Sequence, residues 1–190
     1  MNKVLNFGGE RIVVAQVPES EVWIPRLLKE MDTNRKNIGR SHKIRGRWEN
    51  SYLKEDLVPT IRVPMRFARN LGKEELGVLS VILFKPLPFS SDQFPPFWFN
   101  LAQGGEETGL HDHVDQAILS CVVYLDCKED SGNLFFRMKG EDDLEVLPEV
   151  GKMILFSPCL RHGVRQNRSE SERISLAFNL FPFPLPAVDL

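Results

Sequence analysis

Read for its alternation of apolar and polar positions, the chain changes character near residue 76. Before that point two stretches carry a helical period. Glu19-Ser20-Glu21 supplies acids and a possible cap ahead of Trp23, Leu27, Leu28 and Met31, which fall on one side of a helix. Pro25 belongs in a first turn, so the start is expected close to it. Pro64 to Leu71, with Gly72 just past the end, predicts a second helix. A short strand, Arg11 to Gln16, precedes both and closes at Pro18. Beyond residue 76 the period drops to two. Val78–Phe84, Phe97–Gln103, Ala117–Leu125, Leu134–Arg137, Lys152–Phe156 and Arg173–Phe181 are rich in branched and aromatic residues. Gly, Pro, Asn and Asp punctuate them, as an antiparallel sandwich or small barrel requires. Phe181-Pro182-Phe183-Pro184-Leu185-Pro186 is expected to leave the ladder as an extended tail, because proline donates no backbone hydrogen bond.

At 190 residues the chain suits a single domain with a sizeable core. The pattern divides it into an N-terminal strand, helices and basic loop (1–75), a β core (76–181) and a Pro-rich tail (182–190). A net charge of −2 gives no global field for nucleic acid or anionic membrane, and no apolar run reaches the length of a membrane span. Three cysteines (Cys121, Cys127, Cys159) cannot all pair internally. Reduced thiols and a cytoplasmic location are the expectation. The sequence leaves the oligomeric state open.

One charge cluster stands out. Between Thr33 and Trp48 lie Arg35, Lys36, Arg40, Lys43, Arg45 and Arg47 with no acidic residue among them. The segment reads either as a solvated loop or as a lid carrying cations over an anionic substrate, with Arg40, Arg45 and Arg47 as the candidate contacts.

The candidate chemistry sits in Gly109-Leu110-His111-Asp112-His113-Val114-Asp115, answered by His162. Residues two apart on a strand share a face and can grip one ion. Two imidazoles and a carboxylate with open positions form a ligand set for non-haem Fe(II). The spacing offers two registers. His113, Asp115 and His162 make the two-histidine, one-carboxylate set, the preferred one here; His111, His113 and His162 make a three-histidine set. The residue left over, His111 or Asp115, would orient a ligand or meet substrate. His42 is taken as a surface or hydrogen-bonded histidine. Arg173 and Ser175 share a strand face opposite Ile174, Leu176 and Phe178, so a guanidinium and a hydroxyl there can hold a carboxylate. Tyr124, on the face of Ser120 and Val122, could add its phenol or serve as a core tyrosine. Arg165 and Arg168 read as rim salt-bridge partners, and Glu141-Asp142-Asp143 as a solvated turn.

Taken in order, Gly105–His113, Ile118–Leu125, Pro148–Pro158, His162-Gly163-Val164 and Arg173–Asn179 resemble the Fe(II)- and 2-oxoglutarate-dependent oxygenases, prolyl-hydroxylase-like in layout. The resemblance covers roughly Phe97 to Phe181. It implies a double-stranded β-helix (jelly-roll or cupin-like) core, mainly β, with N-terminal supporting helices. It also implies Fe(II), 2-oxoglutarate as cosubstrate and O₂, with decarboxylation of the cosubstrate coupled to oxidation of a substrate C–H bond. In this family the distal histidine and H-x-D/E bind iron, and a basic residue about ten positions further holds the far carboxylate, here Arg173. The three-histidine register resembles that of some small bacterial and phage members. The substrate is expected to be a small molecule, a free amino acid or a peptide side chain. Two other readings stay open: a cupin-type metalloenzyme without 2-oxoglutarate (a three-histidine dioxygenase or an isomerase), and a non-catalytic jelly-roll binding module.

Overall fold

The computed structural model describes residues 2–44, 47–84, 94–113 and 117–184. In chain order the elements are β1 (Lys3–Phe7), β2 (Glu10–Gln16), α1 (Ser20–Thr33), β3 (Gly39–Ile44), β4 (Arg47–Tyr52), α2 (Arg62–Leu76), β5 (Val81–Ile82), β6 (Phe97–Ala102), β7 (Thr108–His111), β8 (Leu119–Asp126), β9 (Leu134–Phe136), β10 (Leu144–Val146), β11 (Lys152–Phe156), β12 (His162–Val164) and β13 (Arg173–Pro182). Among the described residues they form two antiparallel sheets. The larger runs β1-β2-β11-β8-β13-β6-β4-β3, with β5 on β13; the smaller runs β10-β9-β12-β7. The fold is mainly β, a double-stranded β-helix with α1 and α2 as supports.

Period-two alternation decides which side chains meet which layer. On β8, Leu119, Cys121, Val123 and Leu125 face the helices, as do Met153 and Leu155 of β11 and Leu176, Phe178 and Leu180 of β13. They pack against Trp23, Leu27, Met31, Met65 and Leu71. The intervening positions, Val122, Tyr124, Ile154, Phe156 and Ala177, meet Leu134, Phe136 and Val146 of the smaller sheet. A leucine or phenylalanine buried this way gains about 1.5–3 kcal/mol from leaving water. The same alternation turns Arg173, Ser175, Ala177 and Asn179 of β13 away from the helices.

Several expectations need correction. Helix α1 starts at Ser20, five residues before Pro25. Pro25 lies on the exposed face, where water can serve the carbonyl that its missing N–H would have met. Burial of Trp23 and Ile24 holds the first turn in place. Helix α2 runs on to Leu76, and Gly77 in the left-handed region (φ 72°) ends it. Gly72 lies inside the helix because a Cβ there would come within 2.6 Å of the Leu119 side chain. The basic segment is not a loop. Its residues 39–44 pair as a hairpin with 47–52, a strand that runs on past the segment and whose Ser51 registers with Phe99 of β6. Nor do all the tail residues leave the ladder, since Phe181 pairs with Ile82 and Pro182 with Val81. Pro182 is tolerated because it falls where the sheet ends.

Candidate metal centre

His111 and His162 are register partners across β7 and β12. Pairing brings together residues 51 positions apart in the chain. His113 lies just beyond β7, and its backbone N–H donates to the Pro158 carbonyl at 2.8 Å, in the turn between β11 and β12. The ring centroids are 4.4 Å (His111–His162), 4.9 Å (His111–His113) and 5.2 Å (His113–His162) apart. One nitrogen from each ring lies within 4.8 Å of the others.

Two of these rings have a fixed orientation. His111 Nδ1 lies 2.8 Å from the Gly109 carbonyl oxygen, and His162 Nδ1 lies 2.9 Å from that of Leu160. A carbonyl only accepts, so each Nδ1 carries a proton, and Nε2 is the nitrogen left to serve as a ligand atom. A backbone carbonyl behind the imidazole is the support that metal-binding histidines ordinarily have. His113 instead meets the edge of Trp98, with centroids 5.4 Å apart. Burial, and then the proximity of His111, lowers His113 to about 4 and His162 to about 3, so both are neutral at pH 7. Neutral imidazole is the form that binds a metal.

The three rings line a cavity between the sheets with about 470 Å³ of atom-free space, counted out to open solvent. Ser175, Ala177 and Asn179 form part of its floor. Past the Ser175 end lies Arg173, fully buried. Its Nη1 donates to the Ser131 carbonyl at 2.6 Å, while Nε, Nη2, the Tyr124 hydroxyl and Ser131 Oγ are buried with no hydrogen-bond partner among the described residues. Four unpaired polar groups in one place cost too much to leave empty-handed, and each of them can donate to a carboxylate. Burial lowers the Arg173 guanidinium somewhat and raises the Tyr124 phenol to about 12, so the pair stays cation and neutral donor. Gly132 makes the close approach possible. Its φ is +95°, and a Cβ would come within 2.9 Å of Arg173 Nη1.

The other expected residues separate. Asp115 and Arg45 lie outside the described residues. Arg40 is exposed on β3. Arg47 is not available as a free cation: it donates to the Glu107 carbonyl (2.6 Å), Asn100 Oδ1 (2.8 Å) and the Leu101 carbonyl (3.0 Å), and pairs with Glu106 at 3.1 Å. It ties β4 to β6 and to the approach of β7. His42 is exposed and hydrogen-bonds to Ser41. Arg165 pairs with Asp143 (2.5 Å) and Glu145 (2.8 Å), so Asp143 is engaged rather than merely solvated. Asn50, Trp98, Asn179 and Ser131 were not anticipated. Each lies on a different element, and only Trp98 and Asn179 had a signal, their place on the site-facing alternation of β6 and β13.

Residues 97–181 match the family model of the 2OG-Fe(II) oxygenase superfamily. The core is that of a 2OG-Fe(II) oxygenase. Solved structures share its fold. A prolyl-4-hydroxylase from Pseudomonas putida is 15% identical, with a TM-score of 0.64 over 90% of this chain and 92% of its own. A Trichoplax adhaerens prolyl hydroxylase, solved with a hypoxia inducible factor peptide fragment, is 13% identical, with a TM-score of 0.66 over 90% and 83%. The epimerase SnoN from nogalamycin biosynthesis, solved with Fe³⁺, α-ketoglutarate and nogalamycin RO, is 14% identical, with a TM-score of 0.67 over 90% and 78%. No curated protein sequence matches the chain. The oxygenase core thus accounts for the β half of the molecule and for the cofactors Fe(II), 2-oxoglutarate and O₂.

Proposed function

We propose that His111, His113 and His162 hold Fe(II), and that Arg173, with Tyr124 and Ser175, holds the far carboxylate of 2-oxoglutarate, in an oxygenase that hydroxylates a small-molecule or peptide substrate. The unpaired donors around Arg173 carry this reading. A buried guanidinium with two open nitrogens beside an unpaired phenol fits a carboxylate, which a cupin without 2-oxoglutarate has no reason to accommodate. The donor set suits the metal too, since imidazole is a normal ligand of non-haem iron. Iron bound there supplies the activation of O₂ that is coupled to decarboxylation of the cosubstrate. The protein's own residues orient the two histidines through backbone carbonyls, anchor the cosubstrate and wall the cavity with Phe156, Val122 and Trp98.

His111 is preferred to Asp115 as the third ligand for two reasons. It is the register partner of His162, and it has the same carbonyl support behind its ring. The preference reverses the order that the more familiar two-histidine, one-carboxylate set suggests. A cytoplasmic setting is consistent with three free cysteines, Cys121 among them buried; no described helix is long and apolar enough to cross a membrane.

Anaerobic titration tests the assignment. Addition of one equivalent of Fe(II) and then 2-oxoglutarate is expected to produce the weak visible charge-transfer band of a chelated keto acid. His111→Ala should lose the band and Asp115→Ala should keep it. Retention in the first and loss in the second would return the carboxylate to the metal.

A further inference from the structure

Strand β7, which carries His111, lies at the edge of the smaller sheet and pairs there with β12. The pairing is irregular. His162 registers with His111, but Val164 registers with Thr108, so Gly109 and Leu110 together oppose the single residue Gly163. A bulge of this kind bends its strand, re-aims side chains and takes backbone groups out of the ladder. Both backbone groups of Gly109 are nevertheless used. Its carbonyl oxygen lies 2.8 Å from His111 Nδ1, and its N–H donates to Glu49 Oε1 at 3.3 Å. One glycine thus joins the Glu49 carboxylate to a ring of the metal centre.

Glu49 lies on β4, outside the residues 97–181 that match the oxygenase family. It is only 7% exposed, and its ion pair with Arg47 is long, at 4.0 Å. A carboxylate is rarely buried so deeply without close partners, and a loose pair is a weak reason to keep one there for stability. The neighbouring bonds fasten the start of β7 to the larger sheet. Arg47 Nη1 donates to the Glu107 carbonyl at 2.6 Å and Nη2 to Asn100 Oδ1 at 2.8 Å. Asn100 Nδ2 donates to the Glu49 carbonyl at 3.0 Å and to Thr108 Oγ1 at 3.4 Å. Those bonds stop at Glu107 and Thr108, and the Glu49 side chain is the group of β4 that reaches Gly109. His162 is supported differently. The Leu160 carbonyl behind its ring belongs to a turn closed by its own bond, from the Leu160 N–H to the Ser157 carbonyl at 3.1 Å.

We propose that Glu49 is a positioning residue of the metal centre: by holding the bulged Gly109 it sets the carbonyl that orients His111. The first half of the chain then contributes to the centre without touching the metal. This inference rests on His111 being a ligand.

The test uses the full chain with ¹⁵N-labelled histidine, metal-free and then titrated with Zn(II), a redox-silent stand-in for iron. Glu49→Met keeps the length of the side chain and removes its acceptor, whereas Glu49→Gln keeps both. In Glu49→Met the Nδ1–H signal of His111 is expected to broaden or vanish while that of His162 stays. Its Zn(II) dissociation constant should rise about tenfold, the lower end of the roughly 10- to 100-fold that removing an outer partner of a metal-binding histidine costs. Glu49→Gln should restore both readings. An unchanged His111 signal in Glu49→Met, or no recovery in Glu49→Gln, would overturn the proposal. Parallel loss of both histidine signals, or of the fold itself, would make Glu49 a scaffold residue and overturn it as well. Undiminished Zn(II) affinity in His111→Ala would instead remove the three-histidine reading beneath it, and the proposal with it.

Discussion

Arg173 concentrates the account into one side chain. It is fully buried, has one hydrogen bond to protein, and faces a phenol with no partner of its own. Replacing it by alanine leaves the cosubstrate's carboxylate buried without its cation, a loss of about 2–5 kcal/mol, or roughly one and a half to nearly four decades of affinity. The 2-oxoglutarate dissociation constant measured calorimetrically on the Arg173→Ala variant should rise by that factor, with Fe(II) affinity little changed. Arg173→Lys should recover part of it, because a point charge cannot copy the two-pronged contact. Parallel loss of iron and cosubstrate would mark Arg173 as a scaffold residue. Much at this scale was legible. Spacing of two on a strand placed His111 and His113 near each other, and alternation placed Arg173 and Ser175 on one face. The placement of His111 opposite His162 was not legible, since it depends on the register of β7 against β12. That is a property of pairing between segments 51 positions apart.

At the scale of elements, the strands with long apolar runs were readable, β8, β11 and β13 above all, because burial on both faces leaves a run of branched and aromatic residues. The three-residue strands β9, β10 and β12 are harder, and β10 and β12 went unrecognised: too few residues to establish a period. The basic hairpin misled for a different reason. Six cations without an acid look solvated, yet Arg47 finds its acids at Glu106, on a distant segment, and at Glu49, just past the basic run on its own strand. Its removal gives a sharp expectation. Arg47→Ala strips β4 of three hydrogen bonds to β6 and the β7 approach, and should cost about 1–3 kcal/mol. In hydrogen exchange the amides of β3 and β4 should lose protection well before those of β8 and β13. A uniform loss across both sheets would mean that Arg47 supports the whole core and not the hairpin.

For the whole molecule, the two sheets enclose a cavity in which burial holds His113 and His162 neutral. This has a consequence for the metal-free protein. His113 and His162 protonate near 4 and 3 when folded, against 6.5 ordinarily. Between those values the unfolded chain binds more protons than the folded one, so stability is complete above about pH 6.5 and falls as pH drops towards 4. Urea midpoints of the chelator-treated protein between pH 4.5 and 8 should follow that slope, and a His113→Asn, His162→Asn variant should flatten it. An unchanged slope in the variant would place the acid sensitivity elsewhere. The most direct measurement of the central claim is a crystal structure of the protein loaded anaerobically with Fe(II) and 2-oxoglutarate. The predicted result is a metal bound by Nε2 of His111 and His162 and by a ring nitrogen of His113, with the far carboxylate of the cosubstrate on Arg173 and the Tyr124 hydroxyl. A metal ligated by Asp115 in place of His111, or a cosubstrate carboxylate directed away from Arg173, would contradict it.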